Sequence, residues 1–137
     1  MLILYIVLLN LEEEAVQKRI LMLDDDATLA EAFIFALSEY EIVFFSSTEE
    51  AKAELILNHD QYDLVLTDYK IVGSLIFGAE FGLWVRLNYK IKVIIMSGNF
   101  NEVRKDRNFF EATFSAQMKK PIDLNELRTV IKGVVSS

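Results

Sequence analysis

The sequence predicts an α/β fold, a doubly wound five-stranded parallel sheet with helices on both faces, and three observations carry that expectation. Short aliphatic runs of strand length stand at 20–23, 42–45, 63–67 and 92–96, with a weaker fifth at 114–118. Longer stretches with apolar residues at helical spacing separate them, so strand and helix alternate from Ile20 onward. The apolar content, 53 %, suits strands covered on both faces rather than a disordered chain. Successive strand–helix–strand units take right-handed crossovers, which put helices on both sides of the sheet.

The chain opens on Met1 to Leu11, apolar apart from Asn10, with Glu12-Glu13-Glu14 following at once. A bilayer-spanning helix needs about 20 apolar residues, and a secretory signal needs a basic start and a small-residue cleavage site. The segment has neither, so residues 1–19 are read as a helical extension that joins two copies of the chain, not as a membrane anchor.

Ile20–Leu23 then leads into a helix over 27–39, with Asp26 as its N-cap and Leu29, Phe33 and Leu37 on one face. After the strand at 42–45, Ser47 or Thr48 caps a helix through about Asn58. The strand at 63–67 precedes a helix from Ala79 to Asn88 that carries Phe81, Leu83, Trp84 and Leu87. A fourth helix is poorly marked: between Asn101 and Glu111, Val103 is the only aliphatic residue. Asp123 caps a last helix bearing Leu124, Leu127, Val130, Ile131 and Val134. Trp84 and the Phe109-Phe110 pair read as core or partly buried surface. Residues 20–137 form one domain without repeats.

Composition excludes several functions. A net charge of −7 argues against a nucleic-acid surface, which needs a basic patch. With no cysteine there is neither a disulfide framework nor a thiolate metal site, and cytoplasm is a compatible compartment. His59 is the only histidine, which leaves no histidine-based zinc site or serine–histidine triad; it reads as a surface residue near a helix end.

The informative residues sit at the carboxyl ends of the expected strands. Asp24-Asp25-Asp26 follows the first strand, Asp68 the third and Ser97 the fourth, and Lys120 stands just before the only proline, Pro121. A parallel sheet gathers such residues on one rim, where open α/β folds hold their ligands. Acids from two strands with a hydroxyl and a lysine suit a hard divalent cation and a phosphoryl group.

Four runs, "ILMLDDD", "DLVLTD", "VIIMSG" and "MKKPIDLNEL", stand in this order within residues 20–135 and together resemble the receiver domain of bacterial response regulators, a flavodoxin-like fold. The resemblance implies that Asp68 is a phosphoacceptor taking phosphoryl from a phosphohistidine donor. It implies a Mg²⁺ site in which Asp25 binds the ion directly, Asp24 through water, and Asp68 and the backbone carbonyl of Lys70 complete the set. By the same resemblance Ser97 supplies the hydroxyl, and Lys120 the ammonium, that contact the phosphoryl group, with a cis bond before Pro121. Lys119 is the weaker candidate, because its side chain should alternate to the other side of the strand. The implied partners are a sensor histidine kinase or a phosphotransfer protein, and the implied output is a change in protein contacts. The expectation is thus a stand-alone cytoplasmic receiver, with no catalysis beyond its own phosphorylation and dephosphorylation.

The chain departs from the family pattern around the site. Val72 stands where a proline is usual, the glycine opening the third helix comes late as Gly78, and the loop at 74–77 holds about two extra residues. The Gly-Ala usual before the fifth strand is missing, and Gln117 occupies the place of an aromatic residue that swings inward on activation. Two other readings stand beside the receiver. A haloacid-dehalogenase-like phosphohydrolase would use Asp24 as nucleophile, Asp26 as acid/base and Ser97, but it requires a further acidic pair after its lysine, where only Asp123 and Glu126 remain, and has no use for Asp68. A phosphorylation-independent interaction module would fit the altered switch positions.

Overall fold

The computed structural model describes residues 2–5, 17–70, 77–98 and 107–137. The elements run β1 (Arg19–Leu23), α1 (Ala27–Ala36), β2 (Glu41–Phe45), α2 (Thr48–Asn58), a 3₁₀ turn (His59–Gln61), β3 (Leu64–Asp68), α3 (Gly78–Asn88), β4 (Lys92–Ser97), α4 (Arg107–Thr113), β5 (Ala116–Lys119) and α5 (Leu124–Ser136). All strand pairs are parallel, in the order β2-β1-β3-β4-β5, so the expected doubly wound sheet is what the chain forms. The order reverses between β1 and β3, and a crevice opens at such a switch point, past the carboxyl ends of the strands.

Alternation along the strands divides the core in two. Leu21, Leu23, Val65, Val93 and Ile95 face α2, α3 and α4 residues such as Leu55, Phe81 and Phe110. Ile20, Met22, Leu64, Leu66, Ile94 and Met96 face Phe33 of α1 and Leu37 at its end, together with Leu127 and Ile131 of α5. Side-chain caps start the helices where local chemistry calls for them: Asp26 accepts from the Thr28 and Leu29 amides, Ser47 from Glu50, and Asp123 from Asn125 and Glu126.

Several boundaries differ from the sequence reading, for physical reasons. α1 stops at Ala36, because the turn after Leu37 is needed to feed β2; Leu37 nonetheless stays fully buried. β2 and β5 lie at the sheet edges, so their side chains are mostly half-buried rather than enclosed. Phe114 belongs to the end of α4, its amide bonded to the Phe110 carbonyl, and β5 begins only at Ala116. The described part of α4 buries an aromatic ring, Phe110, and Thr113, which explains why a search for aliphatic periodicity finds it faint. Residues 2–5 are helical; the rest of the expected helical extension, and Val72 with 74–76 of the widened loop, lie outside the described residues. Among the described residues no helix is long and apolar enough to cross a membrane.

Two glycines are held by close approach. A Cβ on Gly78, the first residue of α3, would lie 1.5 Å from the Asp68 carbonyl oxygen, and one on Gly82 would lie 2.5 Å from the Phe114 ring. Gly78 therefore lets α3 begin directly against the backbone of Asp68. By contrast, a Cβ on Gly133 in α5 would meet nothing within 4 Å. In urea unfolding, Gly133→Ala is expected to stabilise the protein by about 0.5–1 kcal/mol, the helical glycine cost. Gly78→Ala is expected to destabilise it by about 2 kcal/mol or more, because backbone atoms must move.

Candidate functional site

Every strand-end residue singled out in the sequence, save the exposed Lys70, comes to the rim at the β1/β3 switch point. Asp24, directly after β1, is fully buried: its Oδ1 accepts the Asp26 amide at 2.9 Å, and its Oδ2 accepts Lys120 Nζ at 2.8 Å. Asp68, 9 % exposed, ends β3 with its Oδ1 accepting the Tyr69 amide at 2.9 Å and its Oδ2 3.3 Å from the same Lys120 Nζ. One ammonium thus bridges two carboxylates, each of which spends its other oxygen on a backbone N–H. Lys120 follows β5, its own amide donating to the Ser97 carbonyl at 2.9 Å, and the Lys120–Pro121 bond is cis. The hydrogen bond to Ser97 ties the lysine to the end of β4, while Lys119, still in the strand, is exposed.

The remaining members follow the same geometry. Asp25 is exposed at the mouth, and Asp24, Asp25 and Asp68 offer oxygens that all lie within 4.8 Å of one another. Ser97 is buried at the end of β4, in register with Lys119. Lys70 stands exposed two residues beyond Asp68. Asp26 is taken up by capping α1 and contributes its amide, not its carboxylate, to Asp24.

Burial sets the electrostatics. It pushes the Asp68 carboxyl up from 3.8 to about 6, reinforced by the charge of Asp24 and opposed by Lys120. Burial also raises Asp24, against the lowering effect of its bonds from Lys120 and the Asp26 amide. For Lys120, burial alone pulls the ammonium down, but the bond to Asp24 and the charges of both acids outweigh it and hold it above its ordinary value. The site is therefore a strained store of negative charge with one internal cation.

Two participants carry no motif. Tyr69 acts through its amide, a group every residue but proline has, so only its place after Asp68 marks it. Gly78 stands out as a glycine, but not that its backbone touches Asp68.

The pH dependence follows from the sign of the Asp68 shift. Its carboxyl titrates near 3.8 when unfolded and about 6 when folded, so the folded state holds the proton more tightly. The stability linked to this group is full below 3.8 and is lost as pH rises through about 6. Asp68→Asn removes that loss. In metal-free urea unfolding, the variant should match the wild type near pH 3.5 and exceed it by on the order of 2 kcal/mol at pH 7.

The family profile described as "Response regulator receiver domain" matches residues 20–132. No curated protein matches the chain significantly. Among solved structures it is similar to a response regulator receiver domain protein from Clostridium thermocellum, at 21 % identity and a TM-score of 0.76, over 87 % of this chain and 94 % of that one. The receiver domain of NtrX from Brucella abortus superposes with a TM-score of 0.74 at 20 % identity, over 86 % and 98 % of the two chains. A CheY-like receiver domain protein from Methanospirillum hungatei gives 0.73 at 22 % identity, over 88 % and 95 %. These likenesses establish the fold, and the profile, spanning most of the chain and all of the acidic rim, establishes that this protein belongs to the response regulator receiver domain family.

Proposed function

We propose that Asp68 accepts a phosphoryl group from a phosphohistidine of a sensor kinase or phosphotransfer protein, and that the protein passes on this state through altered protein contacts in the cytoplasm. In the transfer, an Asp68 carboxylate oxygen attacks phosphorus. The donor's N–P bond breaks, its electron pair returns to the imidazole nitrogen, and an acyl phosphate forms. Hydrolysis by water releases phosphate and restores the carboxylate. The observation that carries the reading is the Lys120 ammonium, 2.8 Å from Asp24 and 3.3 Å from Asp68, already beside the oxygen that would attack.

The donor set fits Mg²⁺, since three clustered carboxylates offer hard oxygen ligands. Asp24, Asp25, Asp68 and the Lys70 carbonyl would hold it, and the ion supplies charge that offsets repulsion between the acids and the incoming phosphoryl group. Ser97 donates its hydroxyl to a phosphoryl oxygen, and Lys120 transfers its ammonium from the carboxylates to the phosphoryl group. The dehalogenase-like alternative fares worse: Asp24 is fully buried with both oxygens engaged, and the carboxylate of Asp26 caps a helix.

Incubation with a small phosphodonor and Mg²⁺ should add one phosphoryl mass, lost in Asp68→Asn and kept in Asp26→Ala. Label mapped to Asp24 would contradict the assignment. Lys120→Ala should slow the transfer about 10–100-fold, the range that a hydrogen bond to a charged group is worth.

The extension is assigned to self-association. Residues Leu2, Ile3, Leu4 and Tyr5 form a helical turn exposed to between 61 % and 78 %, an apolar surface not covered by its own subunit. Sedimentation of the full chain should give a dimer, and a chain starting at Gln17 a monomer. An equally monomeric pair would contradict the assignment, as would a full chain recovered only in detergent.

A further inference from the structure

Beyond the acceptor chemistry, the rings next to Asp68 form a connected path into α4. The Tyr69 amide is shared, donating to the Met96 carbonyl at 2.8 Å and to Asp68 Oδ1 at 2.9 Å. The Tyr69 carbonyl accepts from Ala79 at the start of α3, at 3.4 Å. Its ring stacks on Phe110 of α4, with centroids 5.7 Å apart and planes 15° from parallel. Phe110, 1 % exposed, meets Phe114 at 5.4 Å, and the absent side chain of Gly82 gives the Phe114 ring its place. Meanwhile Gln117, where the family pattern calls for a mobile aromatic, is a half-buried polar residue on the edge strand β5.

We propose that Phe110 is a positioning residue for Asp68, acting through Tyr69, and that the Tyr69–Phe110 stack carries the phosphorylation state from β3 to α4. The proposal rests on the reading of Asp68 as acceptor. A carboxylate oxygen is a charge-assisted acceptor, about twice as strong as a neutral one. Once Asp68 becomes an acyl phosphate, Oδ1 no longer carries carboxylate charge, and the shared Tyr69 amide turns toward Met96. The peptide carries the ring with it, and Phe110, 1 % exposed and packed on Phe114, shifts in turn, so α4 repacks. Coupling is reciprocal: Phe110 holds the Tyr69 peptide in the orientation that fixes Oδ1 and leaves Oδ2 toward Lys120.

The test uses the full chain in ¹H–¹⁵N spectra with Mg²⁺ and beryllofluoride, alongside the rate of phosphorylation by acetyl phosphate. Wild type should shift the amides of Arg107–Thr113. Phe110→Leu and Tyr69→Leu should still accept phosphoryl on Asp68, about tenfold more slowly, and lose the α4 shift. Tyr69→Phe, which keeps the ring, should behave as wild type. If Phe110→Leu lacks a native spectrum, the two Tyr69 variants, at a half-buried position, decide the matter. A Tyr69→Leu protein with wild-type rate and a retained α4 shift would overturn the proposal, as would a phosphorylated wild type in which α4 is silent. A wild type that takes no phosphoryl at all would bring down the acceptor reading, and the coupling with it.

Discussion

The site depends on one ammonium. Lys120 stands between two buried acids, and without it Asp24 and Asp68 would face each other across a poorly solvated crevice. Two such carboxylates cannot both stay ionised at low cost. Each uses a backbone amide for one oxygen and the lysine for the other, so the lysine satisfies what the backbone cannot. The arrangement is also poised to change. Its charge is unbalanced even with Lys120 in place, and a divalent cation or a phosphoryl group would each redistribute it.

Assembling that bridge is what the topology accomplishes. Asp24 and Lys120 are 96 residues apart in sequence, and they meet because β1, β3, β4 and β5 lie side by side with their carboxyl ends on one rim. The strand order reverses between β1 and β3, and the crevice past the carboxyl ends of the strands, beside Asp24 and Asp68, falls at that switch point. The start of α3 then closes on the Asp68 backbone at a distance only glycine permits. Asp68 is thereby fixed from three sides: the β3–β4 ladder, the α3 start and the lysine.

Much of this is legible in the sequence, and the reasons are local. Aliphatic runs of β1, β3 and β4 report burial on both faces, and Asp26, Ser47 and Asp123 report helix starts because capping is chemistry within three residues. The strand-end acids and Lys120 are visible because side-chain identity matters at those positions. What escapes is set by tertiary context. α4 is anchored by the Phe110 ring rather than an aliphatic stripe, and the extent of α1 is decided by the turn that must reach β2. The role of Tyr69 lies in its amide, which no side-chain pattern encodes, and its ring acquires meaning only when stacked on a helix far along the chain.

The central claim is that Lys120 bridges the two acids at rest and passes to the phosphoryl group on activation. It can be observed directly on the lysine ammonium by NMR of protein labelled with ¹⁵N-lysine. The metal-free protein should show one Nζ signal protected from exchange, absent in Lys120→Met. With Mg²⁺ and beryllofluoride that signal should move and gain a proton–fluorine contact. An unchanged signal on addition of beryllofluoride, or a protected signal that survives in Lys120→Met, would contradict the account.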